Sequence, residues 1–230
     1  MKYLALYLNA PLQSWGVGAK FNFRPSMSFP SRSGIVGMLA AASGIDRGDD
    51  VWLQEVNKLS FTMSVFAHND CYGTRIVDYH TVGGGNDNVV FRKKDPWRYR
   101  MAVSKFDGGV KTELTYREYL QDSSFGVIIF GDNDLVHTVK KLATAVQSPV
   151  WGVWLGRKSC IPTEPIFAGL YDDIESAQDA INKRACKNDH SLQMLVEEVT
   201  TDQAEENIMD IPISFSRREY GLRSVETIAP

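Results

Sequence analysis

The sequence predicts an α+β protein with a ferredoxin-like βαββαβ core, a basic arm set into that core, and a small C-terminal extension. Three observations carry the prediction. The N-terminal segment is apolar on both of its alternating faces, as a central strand must be; two stretches with helical spacing each follow a strand-like run; and a glycine-rich, basic excursion interrupts the middle of the order.

Residues 2–8 set Tyr3, Ala5 and Tyr7 against Leu4, Leu6 and Leu8, so neither face is polar and the strand belongs in the interior. Residues 33–44 follow Pro30-Ser31 and end in Gly44, which supplies a serine for the N-cap and a glycine for the C-terminal stop of a short helix. A second short helix fits residues 50–59. Residues 61–67 and 72–82 are rich in β-branched and aromatic side chains and read as strands. The excursion, residues 83–112, opens with Gly83-Gly84-Gly85-Asn86-Asp87-Asn88 and then alternates enough to form an extended β-hairpin. Residues 124–130 are a strongly apolar strand. The turn Gly131-Asp132-Asn133-Asp134 stops it and caps a helix carrying Leu135, Val136, Val139, Leu142, Ala143 and Val146 before Pro149. Residues 150–155 then resume as the closing strand. This places the core at 1–155, with 83–112 as an insertion. Residues 156–230 form an extension packed on the core, holding an acidic helix over 172–183 and short strands near 192–200 and 211–216.

A chain of 230 residues with 43% hydrophobic and 23% charged residues can bury a sizeable core. No apolar run reaches the roughly 18 residues of a membrane helix, and the N-terminus has no signal-peptide pattern, so a cytoplasmic protein without a membrane partner is expected. Cys71, Cys160 and Cys186 are too few and too scattered for a disulfide framework and are expected to be free thiols. The net charge of −3 hides segregation. Residues 1–45 carry Lys2, Lys20, Arg24 and Arg32 and no acid, and residues 91–117 carry eight cations against three acids. Residues 170–210 hold eleven acids against three cations. One side of the molecule is thus expected to face a polyanion, and another to face solvent or protein.

Four local motifs sharpen this expectation. The loop Pro11-Leu12-Gln13-Ser14-Trp15-Gly16, continuing to Arg24-Pro25, offers stacking faces and a guanidinium fork for single-stranded nucleic acid, or else packs as an aromatic loop. Ser31, Arg32 and Ser33 stand where a helix begins, a plausible phosphate seat that lacks the Walker pattern. Gly34 and Gly37 inside that helix imply close approach by the sheet or a ligand. Asp78 and His80 fall on one face of a strand and Tyr79 on the other. Arg157 and Lys158 form a basic turn after Trp151-Gly152-Val153-Trp154-Leu155-Gly156. The pairs His68/Cys71 and Cys186/His190 have ligand-like spacing but lie far apart in the chain, so neither a metal nor another cofactor is expected.

Taken together, the segments 11–16, Arg24-Pro25, 29–34 with 37–39, 78–82, 115–125 and 155–160 followed by Pro162 and Pro165 resemble the CasD family. Its members are subunits of the type I-E CRISPR surveillance complex, Cascade, within the repeat-associated mysterious protein superfamily. The resemblance covers most of residues 3–168. It implies a core related to the RNA-recognition motif, with a protruding hairpin thumb at 83–112 that includes Arg92, Lys93, Lys94, Arg98 and Arg100. It further implies a non-catalytic subunit that holds the 5′ handle of CRISPR RNA and touches both the backbone subunits and the large PAM-reading subunit, meeting target DNA only indirectly. Carried over motif by motif, the handle site comprises Gln13, Trp15, Arg24, Ser31, Arg32, Ser33, Tyr79, His80, Arg157 and Lys158. Relatives in type I-C systems are metal-independent endoribonucleases, for which His80, Tyr79 and Lys93 are the corresponding set. A third reading is a protein-interaction module whose main surface is the acidic 170–210 region.

Overall fold

The computed structural model describes residues 1–16, 18, 22–68, 74–82 and 113–230. The expected thumb with its five basic residues, together with Lys20 and Cys71, lies outside them. In chain order the elements are β1 (Lys2–Asn9), β2 (Leu12–Gln13), β3 (Phe23–Arg24), α1 (Arg32–Ser43), α2 (Asp50–Val56), β4 (Ser60–Ala67), β5 (Arg75–Val82), β6 (Glu113–Gln121), β7 (Ser123–Gly131), α3 (Val136–Gln147), β8 (Phe167–Tyr171), α4 (Ile174–Lys187), β9 (Ser191–Glu198), β10 (Glu206–Ser214) and β11 (Glu219–Ile228).

The main sheet has seven strands in the order β10-β11-β9-β4-β7-β1-β8, with every pairing antiparallel. Within it β1, α1, β4, β7, α3 and β8 follow one another as strand, helix, strand, strand, helix, strand, and the four strands lie in the spatial order β4-β7-β1-β8. As its two apolar faces require, β1 is interior. Leu4, Leu6 and Leu8 pack with Ile35 and Leu39 of α1 and with Val139 and Leu142 of α3, while Ala5 and Tyr7 pack with Ala177, Ile181 and Ala185 of α4. The helices thus cover both faces.

Local chemistry sets the helix ends. Ser31 caps α1 by accepting from the Gly34 N–H, and Gly44, at φ 69°, closes it in the left-handed region that a glycine enters without steric cost. Asp49 caps α2 through the Trp52 N–H, and Asp173 caps α4 through that of Ser176. At α3 the structure differs from expectation: Asn133–Leu135 form a 3-10 turn that leads into the helix, and no side chain caps it.

Residues 150–155 do not form a strand. Their backbone groups serve loop contacts instead: Val150 N–H bonds to Ala42 and Trp151 N–H to Ala41, both at the end of α1. The strand that completes β1's pairing is β8, which lies beyond the expected core boundary. The C-terminal residues also do more than pack on the core. β9 pairs with β4, β11 with β9 and β10 with β11, so the main sheet runs on into the tail. A second sheet joins β2, β6, β3 and β5. β5 and β6 pair from Arg75↔Leu120 to Val82↔Glu113, and residues 83–112 connect their far ends.

One buried ionic network binds the tail to the core. The Arg32 guanidinium lies over the Phe61 ring, 4.3 Å from its centroid, donates to the Asn57 and Leu59 carbonyls, and bridges to Glu198 of β9. Arg223 of β11 pairs with Asp210 of β10 at 2.6 Å, and Asp210 also accepts from the Arg32 backbone N–H at 2.7 Å. Arg32→Ala leaves Glu198 part-exposed and still 3.8 Å from Arg223, but it strips the Asn57 and Leu59 carbonyls of their buried donor. It should therefore cost about 1–3 kcal/mol of stability, seen as a lower urea midpoint with an unchanged slope.

On the opposite face of the sheet, Asn188 donates to the Tyr7 hydroxyl, Tyr7 donates to Ser124, and Ser124 meets His190 Nδ1 at 2.6 Å. Burial, helped by neighbouring His68, holds the His190 imidazole below its ordinary value, while Asp122 and Asp189 pull it the other way. The folded chain then binds the proton less readily than the unfolded chain. The stability His190 contributes is complete above about pH 6.5 and is lost as pH falls through the folded value. The difference in urea midpoint between wild type and His190→Gln should shrink between pH 7.5 and pH 5; a constant difference would remove His190 from the pH response.

Candidate nucleic-acid interface

The loop after β1 turns its Gln and Trp inward. Gln13 Nε2 donates to the carbonyls of Leu8 and Ser123, and its Oε1 accepts from the Trp15 indole N–H at 3.2 Å. Trp15 meets Phe125 edge to face and has no exposed surface. Of the two arrangements the sequence allowed, the packed aromatic loop is the one formed: these side chains brace β1 against β7 and are closed to a ligand. Gly34 fits the same packing, since a Cβ there would stand 2.8 Å from the Trp15 ring.

A similar correction applies at the start of α1. The N–H group expected to seat a phosphate donates to Asp210, and the Arg32 guanidinium is buried against Glu198. The chain's own carboxylates therefore fill the place expected for an external anion. Ser31 spends its hydroxyl on the cap, while Ser33 is only partly buried beside it.

The basic turn behaves differently. Leu155 N–H bonds to Cys160 and Cys160 N–H to Arg157, closing a tight loop. Arg157 donates to the carbonyls of Glu118 and Arg24 at 2.9 Å each and stacks over the Tyr119 ring at 4.6 Å. It thereby clamps β6 and β3 together, and carbonyl partners leave its charge unneutralised. Lys158 is exposed, with its ammonium 5.8 Å from the Trp154 ring centroid.

Arg24, Arg157 and Lys158 open on one groove of about 560 Å³, whose lining also includes Ser31, Ser33 and Arg47. No Asp or Glu lies in that lining among the described residues. Trp154, Phe215 and Tyr220 supply aromatic walls, and an adjoining hollow of about 480 Å³ shares Gly37, Arg47, Phe215 and Tyr220 and adds Trp52, Trp151 and Arg218 together with Asp46 and Asp49. Within the groove four cations stand without a carboxylate and give it a positive field, which the two aspartates weaken where the hollow begins, and the rings give it apolar sides. Arg47, Phe215 and Tyr220 were not anticipated. Arg47 stands just after the end of α1 in no motif, and the two rings arrive from the tail, which carries no local signal of the groove.

Tyr79 and His80 stand outside the groove lining, on β5 of the second sheet. His80 Nδ1 is 3.6 Å from Asp78 Oδ2 on one face, and Tyr79 meets Tyr116 edge to face on the other. Cys160 is buried, Cys186 is exposed, and both are free thiols. No helix among the described residues is long and apolar enough to cross a membrane. No cluster of three or more His, Cys, Asp or Glu able to hold a metal ion occurs among those residues.

An antiparallel α+β sheet protein with a cationic, aromatic-walled groove is the class that this fold and site define. Residues 3–226 match the family described as "CRISPR-associated protein (Cas_Cas5)". The chain is 30% identical over 225 residues to the "CRISPR system Cascade subunit CasD" of Escherichia coli (strain K12), covering 95% of this chain and 94% of that protein. A solved "CRISPR RNA-guided surveillance complex" contains a chain of the same shape, with a TM-score of 0.72 and 28% identity over 99% of this chain and 89% of that one. A structure described as "Crystal structure of Cas protein", at TM-score 0.64 and 24% identity, covering 99% of this chain and 94% of that one, shares the fold. The chain belongs to the CRISPR-associated Cas5 family, as a subunit of the CasD type.

The groove depends on Gly156, whose φ is +94° and whose added Cβ would stand 1.7 Å from the Ser14 carbonyl oxygen. Because the obstacle is backbone, Gly156→Ala must displace the Arg157-Lys158 turn. It should lower stability by about 1–3 kcal/mol, read as a lower urea midpoint. A variant with the wild-type midpoint would show that the turn accommodates the added Cβ.

Proposed function

We propose that this chain is the Cascade-type subunit that binds and caps the 5′ handle of CRISPR RNA. In this reading it has a ferredoxin-like, RNA-recognition-motif-related core and works without catalysis. It links the backbone subunits to the large subunit and meets target DNA only indirectly. The observation that carries the reading is the groove, where Arg24, Arg47, Arg157 and Lys158 converge with no carboxylate among them. Family membership and the relative's place in Cascade support an RNA guide as the polyanion.

In this reading the groove residues Arg24, Ser33, Arg157 and Lys158 of the expected handle set touch RNA directly, a role supported by their position in the groove lining. Gln13, Trp15, Ser31 and Arg32 shape the wall behind them. The opposing acid and base needed to cut RNA would have to centre on His80, which stands half-exposed on an open sheet with Asp78 beside it. That placement suits binding better than a desolvated proton transfer.

Handle RNA should bind with a strong inverse dependence on salt. Arg24→Ala and Lys158→Ala should each weaken binding about tenfold and lower the slope of log K against log salt by about 1, measured by fluorescence anisotropy between 50 and 250 mM salt. Unchanged slopes would take both residues out of the site. Metal-independent cleavage of repeat RNA that disappears in His80→Ala would replace the reading with an endoribonuclease.

A further inference from the structure

We infer that the outer face of the second sheet is a stacking platform for unpaired RNA bases, formed by Phe23, Tyr116 and Tyr79. The register sets Phe23 of β3 opposite Tyr116 of β6, and Tyr116 opposite Tyr79 of β5, so the three rings stand in one row on one face. They are 47%, 43% and 56% exposed, and Val77, on the same face two residues from Tyr79, is 55% exposed. Tyr79 and Tyr116 touch edge to face with centroids 5.5 Å apart. Isolated apolar side chains at a surface need no explanation, but a contiguous row of rings across three strands marks a surface that something covers.

Charge decides what covers it. The only carboxylate on that face among the described residues is Glu118, and it is occupied: it accepts from Arg75 and from the Ser26 N–H. Next to Phe23 in the same strand, Arg24 reaches the groove, where no acid answers it. The Phe23-Arg24 dipeptide therefore sets a ring on the row and a guanidinium in the groove. Neighbours along a strand face opposite sides of the sheet, and β3 lies at an edge among the described residues, so a polymer whose phosphates follow the groove cations reaches the rings by passing around that edge. Single-stranded RNA has this combination of anionic backbone and unstacked planar bases, and aromatic rows on open sheets accept such bases with little regard to sequence. The inference rests on the RNA-binding reading of the groove but concerns different side chains.

The test uses the full chain and a single-stranded handle RNA carrying 2-aminopurine, with affinity and fluorescence measured at several salt concentrations. Tyr79→Leu and Tyr116→Leu keep apolar bulk and remove the ring. Both sites are exposed, so the urea midpoints should match wild type. Each variant should bind about tenfold more weakly and lose 2-aminopurine quenching while the salt slope stays as in wild type, because no phosphate contact is lost. Tyr79→Phe, which keeps the ring, should bind as wild type does. If the leucine variants bind and quench like wild type while Arg24→Ala binds weakly, the platform is wrong and the groove reading stands. If wild type binds no RNA, both fall. If the leucine variants keep RNA binding but lose a protein partner of the complex, the face is a protein-docking surface, not a base platform.

Discussion

The arrangement of this molecule turns on the burial of Arg32. A guanidinium is costly to remove from water, and its attraction to a carboxylate offsets more of that cost the more of its other donors are satisfied. Here one terminal nitrogen reaches the carbonyls that end α2 and begin β4, the other reaches Glu198, which supplies the counter-charge, the ring of Phe61 lies beneath, and the buried Nε has no hydrogen-bond partner among the described residues. Arg223 and Asp210 extend the network into β10 and β11, and Asp210 closes on the backbone at the start of α1. These contacts fix α1 relative to the tail. Since α1 contributes Ser33 and Gly37 to the groove while the tail contributes Phe215 and Tyr220, the shape of the groove follows from where this network holds the two.

Arg32 and Arg157 show how partner chemistry decides what a buried or half-buried cation can do. Each is held in a defined geometry by backbone carbonyls and an aromatic face. Arg32 also has a carboxylate partner, so its field is cancelled and it acts as a structural tie. With only neutral partners, Arg157 keeps its field pointed at the groove. The acidic tail is divided in the same way. Glu198 and Asp210 turn inward to neutralise arginines, whereas Asp172 and Asp173 stay at the surface, one pairing with Lys2 and the other capping α4. An excess of acid in one stretch of chain is therefore partly a structural resource and only in part a surface.

The aromatic residues divide along similar lines. Trp15 is interior because Gln13 accepts its indole N–H and is itself held by two carbonyls, so the polar atoms of the loop are satisfied without water. Tyr79, Tyr116 and Phe23 stand on the second sheet, whose outer face no helix covers among the described residues. Composition is the same in the two places; what differs is whether another layer covers the sheet.

Local periodicity alone determined much of this protein. β1, α1, α3, β4 and β7 were legible because a strand or helix packed against neighbours must repeat its apolar residues at a fixed spacing, and Ser31 and Gly44 act within one turn of their own positions. The closing strand was misplaced for a related reason. Residues 150–155 have the aromatic and β-branched content of a strand but bond as a loop, whereas β8 is a short segment containing Gly169 whose burial follows no alternation. The charge segregation and the basic turn at Arg157-Lys158 were also visible in the chain. The fate of each charge was not. An arginine at a helix start can hold a phosphate or a glutamate, and Arg32 meets Glu198 across 166 residues of sequence. No local pattern carries that choice. Only the tertiary structure decided it, because electrostatic partnership depends on distance and burial in the folded chain, and neither is a property of the segment that bears the charge.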